Sequence, residues 1–323
     1  MNKCSCRSEN GYIYSKEKNS WNENDTIGIL IFILIVSIII SLLYTSYCWL
    51  HSSPYLYRYI IITTILISIF CITLLYRPIL LLYVPSSILS LFIRTPVYLD
   101  KNLYFPDHKL LENPDTFKKI KEEVDHMLKK TNGGNTLSLT QDTYSGENKY
   151  IGSDVKEQNG IKRAWRILNI KAGELYSQDA MTHFPYLVRI LKRIPDIKSC
   201  VISILEPGIR IPIHVGYYKG IMRYMLATHI PTDRKNVFLC ANGIKYNWTE
   251  GEGVLWDDTY VHKVYNNTDE IRVIIYMDVI RPLKNESISL LDGLNKWLIN
   301  QAMNSSIVQN EIKRTEKQIK INE

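Results

Sequence analysis

The chain has 323 residues, which suffices for one domain of about 200 residues with appendages. Its formal charge of +7 is a mild excess, not interleaved with aromatics or repeats. A phosphate-rich membrane surface or an anionic substrate explains it better than nucleic-acid readout. The six cysteines show no metal-ligand spacing, and no disulfide framework follows from them.

Residues 1–26 are polar, carry Lys3, Arg7, Lys16 and Lys18, and read as a disordered tail. From Ile27 to about Leu50 the chain is free of charge, long enough at about 1.5 Å per residue to cross a hydrocarbon core. It lacks the small-residue cleavage site of a secretory signal. A second uncharged run, Tyr59 to Tyr76, lies between Arg58 and Arg77. The two runs predict a transmembrane hairpin over 27–76. A third apolar run from Pro78 to Ile93 contains Pro85 and ends at Arg94; the segment 77–96 is expected to be interfacial or re-entrant. The basic tail then places tail and the following domain together in the cytosol. If the third run crosses, the domain is lumenal instead.

From Val97 to about 283 the composition is that of a globular domain, followed over 284–323 by a helix and a charged, frayed tail. Asn113-Pro114 opens a helix in which Phe117, Ile120, Val124, Met127 and Leu128 share one face. Thr131 to Gly160 is a polar, Gly/Asn-rich loop, and Arg163 to Ile170 returns to strand alternation. A helix is expected over Tyr186–Arg193, between two prolines. Short strands separated by turn signals run from Cys200 to Val279, the pattern of a double-sheet jelly roll. The last helix centres on Leu290 to Ile299.

The chemistry concentrates between Ser203 and Arg272. His214 closes an alternating segment, His262 lies at the end of a later apolar-rich run, and Arg272 sits within the strand-like I-R-V-I-I-Y. Two imidazoles from distant strands, with an arginine on the strand after the second, suit an iron oxygenase that binds a 2-oxo acid. Such sites usually add a carboxylate two residues after the first histidine; here that position is Gly216. An uncompensated guanidinium in an apolar strand is costly, and a bound anion would remove that cost.

From Val97 to Pro282 the chain resembles the aspartyl/asparaginyl β-hydroxylase family, which includes bacterial lipid A hydroxylases. The resemblance rests on P-G-x5-H at Pro207 to His214, on Gly216, and on Arg223 nine residues after His214. It continues through C-A-N-x5-W at Cys240 to Trp248, D-D-x3-H at Asp257 to His262, and R-x5-D-V at Arg272 to Val279. It implies a cupin-like double-stranded β-helix using Fe(II), 2-oxoglutarate and O2. His214 and His262 would be the metal ligands and catalytic centre, with Ser203, Arg223 and Arg272 holding the carboxylates of 2-oxoglutarate. Gly216 resembles the protein-hydroxylating branch, whereas Met225 stands where that branch has a histidine. The absence of a helical-repeat region and the presence of apolar runs look more like the lipid-modifying branch. The substrate is therefore a peptidyl Asp/Asn side chain or a lipid acyl chain, near membrane lipid. The alternatives are a silent jelly-roll binding module and a halogenase-like oxygenase, since an open metal position can take a halide. Asp257 and Asp258 are expected to stabilise the turn before His262. Arg210, Lys219 and Trp165 are assigned to packing or surface, and His183 and His229 are not ligands. Sequons at Asn247, Asn266, Asn285 and Asn304 would matter only in a lumenal domain.

Overall fold

A computed structural model describes Cys4, Ile62, Ile65 and residues 80–134, 156–158, 161–283, 288–314 and 319. Apart from Ile62 and Ile65, the expected spans over 27–50 and 59–76 lie outside the described residues. Among the described residues no helix is long and apolar enough to cross a membrane. The chain divides into two compact units: Glu17–Arg94 with Gly216–Lys219, and the remainder. In the first, helix α1 (Leu80–Phe92) has 13 residues with Pro85 inside, and the Lys219 N–H donates to Ser86 Oγ at 3.0 Å.

The larger unit is mainly β, a two-sheet jelly roll with flanking helices. After short helices α2 (Lys101–Tyr104) and α3 (His108–Leu111), α4 runs over Pro114–Lys130. Its start is set as the sequence indicates: Pro114 occupies the first turn, and Asn113 Oδ1 accepts from the N–H groups of Asp115 and Thr116. Ile120, Val124 and Met127 are fully buried, while Phe117 and Leu128 only border the core. The polar loop ends earlier than expected, because β1 (Lys156–Gln158) pairs with β2 (Ile161–Arg163). There follow β3 (Trp165–Ala172), β4 (Leu175–Tyr176), α5 (Gln178–His183) and α6 (Pro185–Leu191). The sequence reading missed α5, which Ser177 caps through Ala180 N–H.

Strands β5 (Ile197–Leu205), β6 (Arg210–His214), β7 (Ile221–His229), β8 (Val237–Ala241), β9 (Ile244–Tyr246), β10 (Gly253–Trp256), β11 (His262–Asn266) and β12 (Arg272–Ile280) complete the unit. One sheet has the order β10-β7-β12-β5-β3-β4 and the other β6-β11-β8-β9. Helix α7 (Asp292–Met303) is succeeded by α8 (Ser306–Arg314), where a frayed tail was expected.

Strand periodicity decides what faces the site. Along β5, Ile202 and Ile204 join the helix-side core, whereas Val201 and Leu205 join the cluster between the sheets; Ser203 shares their parity. Along β12, Val273, Ile275 and Met277 face the helices, and Ile274 faces inward with the parity of Arg272. Both central strands are covered on both faces, so they read as near-continuous apolar runs. Each fully buried Ile or Leu there stabilises by about 1.5–3 kcal/mol. Against that background an inward serine and arginine are out of place for packing alone.

The sequence reading found no disulfide framework, but Cys4 is bonded to Cys240, 236 residues away. Cys240 lies on β8 directly opposite Lys263, next to His262, and the Cys4 N–H donates to the Gly243 carbonyl. No spacing rule reveals a pair at that separation; only the closed fold brings them together. Cys200 is free and buried.

Candidate active site

The two predicted histidines meet in the smaller sheet. His262 is the register partner of His214 across β11 and β6, and their ring centroids are 4.0 Å apart. Two local features place them. Gly208, at φ +71°, turns the chain after Pro207 into β6. The turn before His262 is anchored by Asp257, which accepts from Thr259 and pairs with Arg281 at 2.6 Å, both side chains fully buried. The expectation for Asp257 is met in this form.

Each imidazole is held through Nδ1 by a carbonyl two residues upstream: His214 to Pro212 at 2.7 Å and His262 to Tyr260 at 2.8 Å. Those bonds put the Nδ1 proton on the carbonyl side and leave Nε2 as the lone-pair donor. Part of His214 still reaches solvent, yet packing around the ring is dense enough that desolvation pulls its pKa down to about 4. His262, 2% exposed, lies well below its ordinary value through desolvation first and then the neighbouring His214 and Arg223. Both are neutral at pH 7, the form that binds a metal. Trp256 packs edge-on against His262 at 4.6 Å. Among the described residues no group of three or more His, Cys, Asp or Glu could hold a metal; His214 and His262 are the two imidazoles that could serve as donors, and Gly216 has no side chain to add.

Arg272 is 1% exposed. It donates through Nη2 to Ser203 Oγ at 2.9 Å and lies over the Trp248 ring, 5.3 Å from its centroid. Among the described residues it has no carboxylate partner, its Nε–H is unsatisfied, and burial alone pulls its pKa far below the ordinary value. Ser203 Oγ also accepts from Trp165 Nε1 at 2.9 Å. With both incoming donors on the oxygen, the Ser203 hydroxyl proton is free to donate onward. Charge, hydroxyl and unsatisfied N–H are together the donor set that could hold a carboxylate.

Arg223 is in a different state. Nη1 meets Asp258 at 3.1 Å, and Nη2 and Nε meet Asp278 at 3.0 and 3.1 Å, above the Tyr276 ring. Burial opposes its charge, but the two carboxylates outweigh it and raise the pKa. Burial in turn lifts Asp258 to about 6, against the lowering effect of Arg223. The carboxylate-binding role expected of Arg223 thus meets a guanidinium already balanced by protein acids.

All five predicted site residues lie in the two sheets, with the histidines paired and Ser203 bonded to Arg272. Trp165, assigned to packing or surface, does pack in the apolar cluster between the sheets and in addition donates to Ser203 Oγ; an indole at the start of a strand offered no signal for that bond. Asp278, which also accepts from Ser199 at 2.5 Å, and the indole of Trp248 were likewise not anticipated as site groups. His229 is bonded to Asp125 at 2.7 Å.

Four matches to known proteins bear on this chain. The family model described as Aspartyl/Asparaginyl beta-hydroxylase matches residues 114–282. An ornithine lipid ester-linked acyl 2-hydroxylase of Rhizobium tropici is 29% identical over 135 residues, 42% of this chain and 48% of that protein. An aspartyl/asparaginyl beta-hydroxylase of Homo sapiens is 28% identical over 111 residues, 33% of this chain and 14% of that protein. The chain therefore spans less than half the length of these curated relatives. Among solved structures, a Pseudomonas putida prolyl-4-hydroxylase aligns with a TM-score of 0.33 and 12% identity, covering 51% of this chain and 87% of that one.

Proposed function

The chain belongs to the aspartyl/asparaginyl β-hydroxylase family, and from that premise we propose that it is an Fe(II)- and 2-oxoglutarate-dependent oxygenase that hydroxylates a carbon of a membrane-proximal substrate. The carrying observation is the buried Arg272 guanidinium, which has no carboxylate partner among the described residues and shares Ser203 with Trp165. The residues present fit both groups. Neutral His214 and His262, with Nδ1 tied to carbonyls, offer Nε2 to a metal that keeps other positions open. Arg272 and Ser203 would take the distal carboxylate of 2-oxoglutarate.

When bound, ferrous iron and 2-oxoglutarate supply the O2-dependent oxidation that turns C–H into C–OH, with succinate and CO2 as co-products. The chain's own share is binding, orientation and exclusion of water. Trp165 holds the Ser203 oxygen, and Arg272 neutralises the ligand in an apolar interior. Asp258 and Asp278 immobilise Arg223, whose positive charge helps keep both imidazoles unprotonated.

Two substrate readings have support. Met225 in place of a histidine, the apolar runs before the domain and the similarity to an acyl hydroxylase support a lipid acyl chain. Gly216, and the similarity to a peptidyl hydroxylase, supports an Asp or Asn side chain. The Cys4–Cys240 bond supports an oxidising, exoplasmic or lumenal side for the domain over the cytosolic placement expected from charge. Succinate release from 2-oxoglutarate tests the activity. It is expected from the wild type and lost in His214→Ala, and equal release by both would refute the assignment.

A further inference from the structure

Two fully buried indole N–H groups, Trp248 Nε1 and Trp256 Nε1, have no hydrogen-bond partner among the described residues. Trp248 is 1% exposed and Trp256 fully buried, and both belong to the apolar cluster between the sheets. Leaving a buried donor unmade costs more than a satisfied bond returns, so such groups are rare in a folded interior unless a ligand completes them. The two flank different parts of the candidate site: Trp256 packs on His262, and Trp248 lies beneath Arg272. Tyr246 packs edge-on against Trp248, with an interplanar angle of 85°, and helps hold its plane. Trp165 shows what a satisfied indole looks like nearby, its N–H taken by Ser203 Oγ.

We infer that Trp248 belongs to the carboxylate receptor, its ring face carrying the Arg272 guanidinium and its Nε1–H donating to the carboxylate that Arg272 binds. This rests on the reading that Arg272 receives the distal carboxylate of 2-oxoglutarate. Ring and guanidinium act in different directions. Arg272 Cζ lies 5.3 Å from the Trp248 ring centroid, within cation–π range, while an indole N–H points outward in the ring plane and not at the cation above it. The receptor then comprises three kinds of donor: guanidinium, hydroxyl and indole. The Arg272 Nε–H and the Trp248 Nε1–H have no partner among the described residues, and one carboxylate would complete both.

The test uses the full chain without oxygen, with Mn(II) as an O2-inert metal, and calorimetric titration with two probes. 2-Oxoglutarate carries the distal carboxylate; 2-oxobutyrate chelates a metal in the same way but lacks it. Trp248→Phe keeps an aromatic face and removes the N–H, and Trp248→Tyr serves if the Phe variant does not fold. The expected result is 2-oxoglutarate binding weakened by about tenfold or more, with 2-oxobutyrate binding unchanged. Equal weakening of both probes, the signature of a merely structural tryptophan, would overturn the inference, as would no weakening of either. Arg272→Met separates the two levels: if it abolishes the preference for 2-oxoglutarate while Trp248→Phe does nothing, the cosubstrate reading stands and the Trp248 role falls. A wild type that binds neither probe removes both.

Discussion

Replacing Arg272 by methionine should move stability and ligand binding in opposite directions. Arg272 is 1% exposed, hydrogen-bonded to Ser203 and lying over the Trp248 ring. Burial draws its pKa down to about 9, and at about 1.4 kcal/mol per pKa unit the cost of keeping it charged is on the order of 5 kcal/mol. Cation–π stacking and the Ser203 bond offset about 2–3 kcal/mol of this. An apolar side chain of similar length should leave the free protein unchanged or more stable by about 1–3 kcal/mol. The same change removes the charge that meets the ligand. In the wild type, 2-oxoglutarate at about a hundred times its Kd stabilises by about 2.7 kcal/mol; in Arg272→Met that increment should vanish. Denaturant unfolding of both proteins with Mn(II), with and without 2-oxoglutarate, reads all four values. A variant less stable than wild type by more than about 2 kcal/mol, yet still stabilised by 2-oxoglutarate, would refute the reasoning, because Arg272 would then be a structural residue.

Cys240→Ser should remove the Cys4 crosslink, seen as an altered mobility on non-reducing gels, and should cost about 2–5 kcal/mol in unfolding experiments. No mobility change between oxidised wild type and variant would contradict the bond and the oxidising compartment it supports. The depressed imidazole pKa values predict metal binding that is nearly indifferent to mild acid. With His214 near 4 and His262 also lowered, Mn(II) affinity at pH 6 should stay within about twofold of that at pH 7.5. Two imidazoles at the ordinary 6.5 would lose more than about tenfold. The stability sign follows from linkage: the unfolded chain binds more protons between pH 6.5 and 4, so stability present above about 6.5 is lost as pH falls through that window.

Local patterns were legible in the sequence, and tertiary partners were not. Asn113-Pro114 announced α4 because capping is a property of four adjacent residues. The strands of the two sheets were visible as apolar alternation, and the two histidines through motif spacing. Arg272 could be flagged because a charge inside I-R-V-I-I-Y violates strand burial whatever the fold. What escaped depends on register. Ser203 meets Trp165 and Arg272 because β5 lies between β3 and β12. Arg223 meets Asp278 because the two are register partners across β7 and β12. That pairing sets Asp278, together with Asp258, against the guanidinium expected to hold 2-oxoglutarate. Helix α5 escaped because six residues carry too little periodicity, and the disulfide escaped because its cysteines are 236 residues apart.

The most direct test of the central claim needs no substrate. Ferrous iron and 2-oxoglutarate added without oxygen to the full chain should produce the weak visible charge-transfer absorption of a chelated 2-oxo acid. It should be absent in His262→Ala and require far more 2-oxoglutarate in Arg272→Met. A folded wild-type protein that shows no such absorption at saturating iron and 2-oxoglutarate would contradict the oxygenase assignment, and would leave a jelly roll that keeps the family's residues without its chemistry.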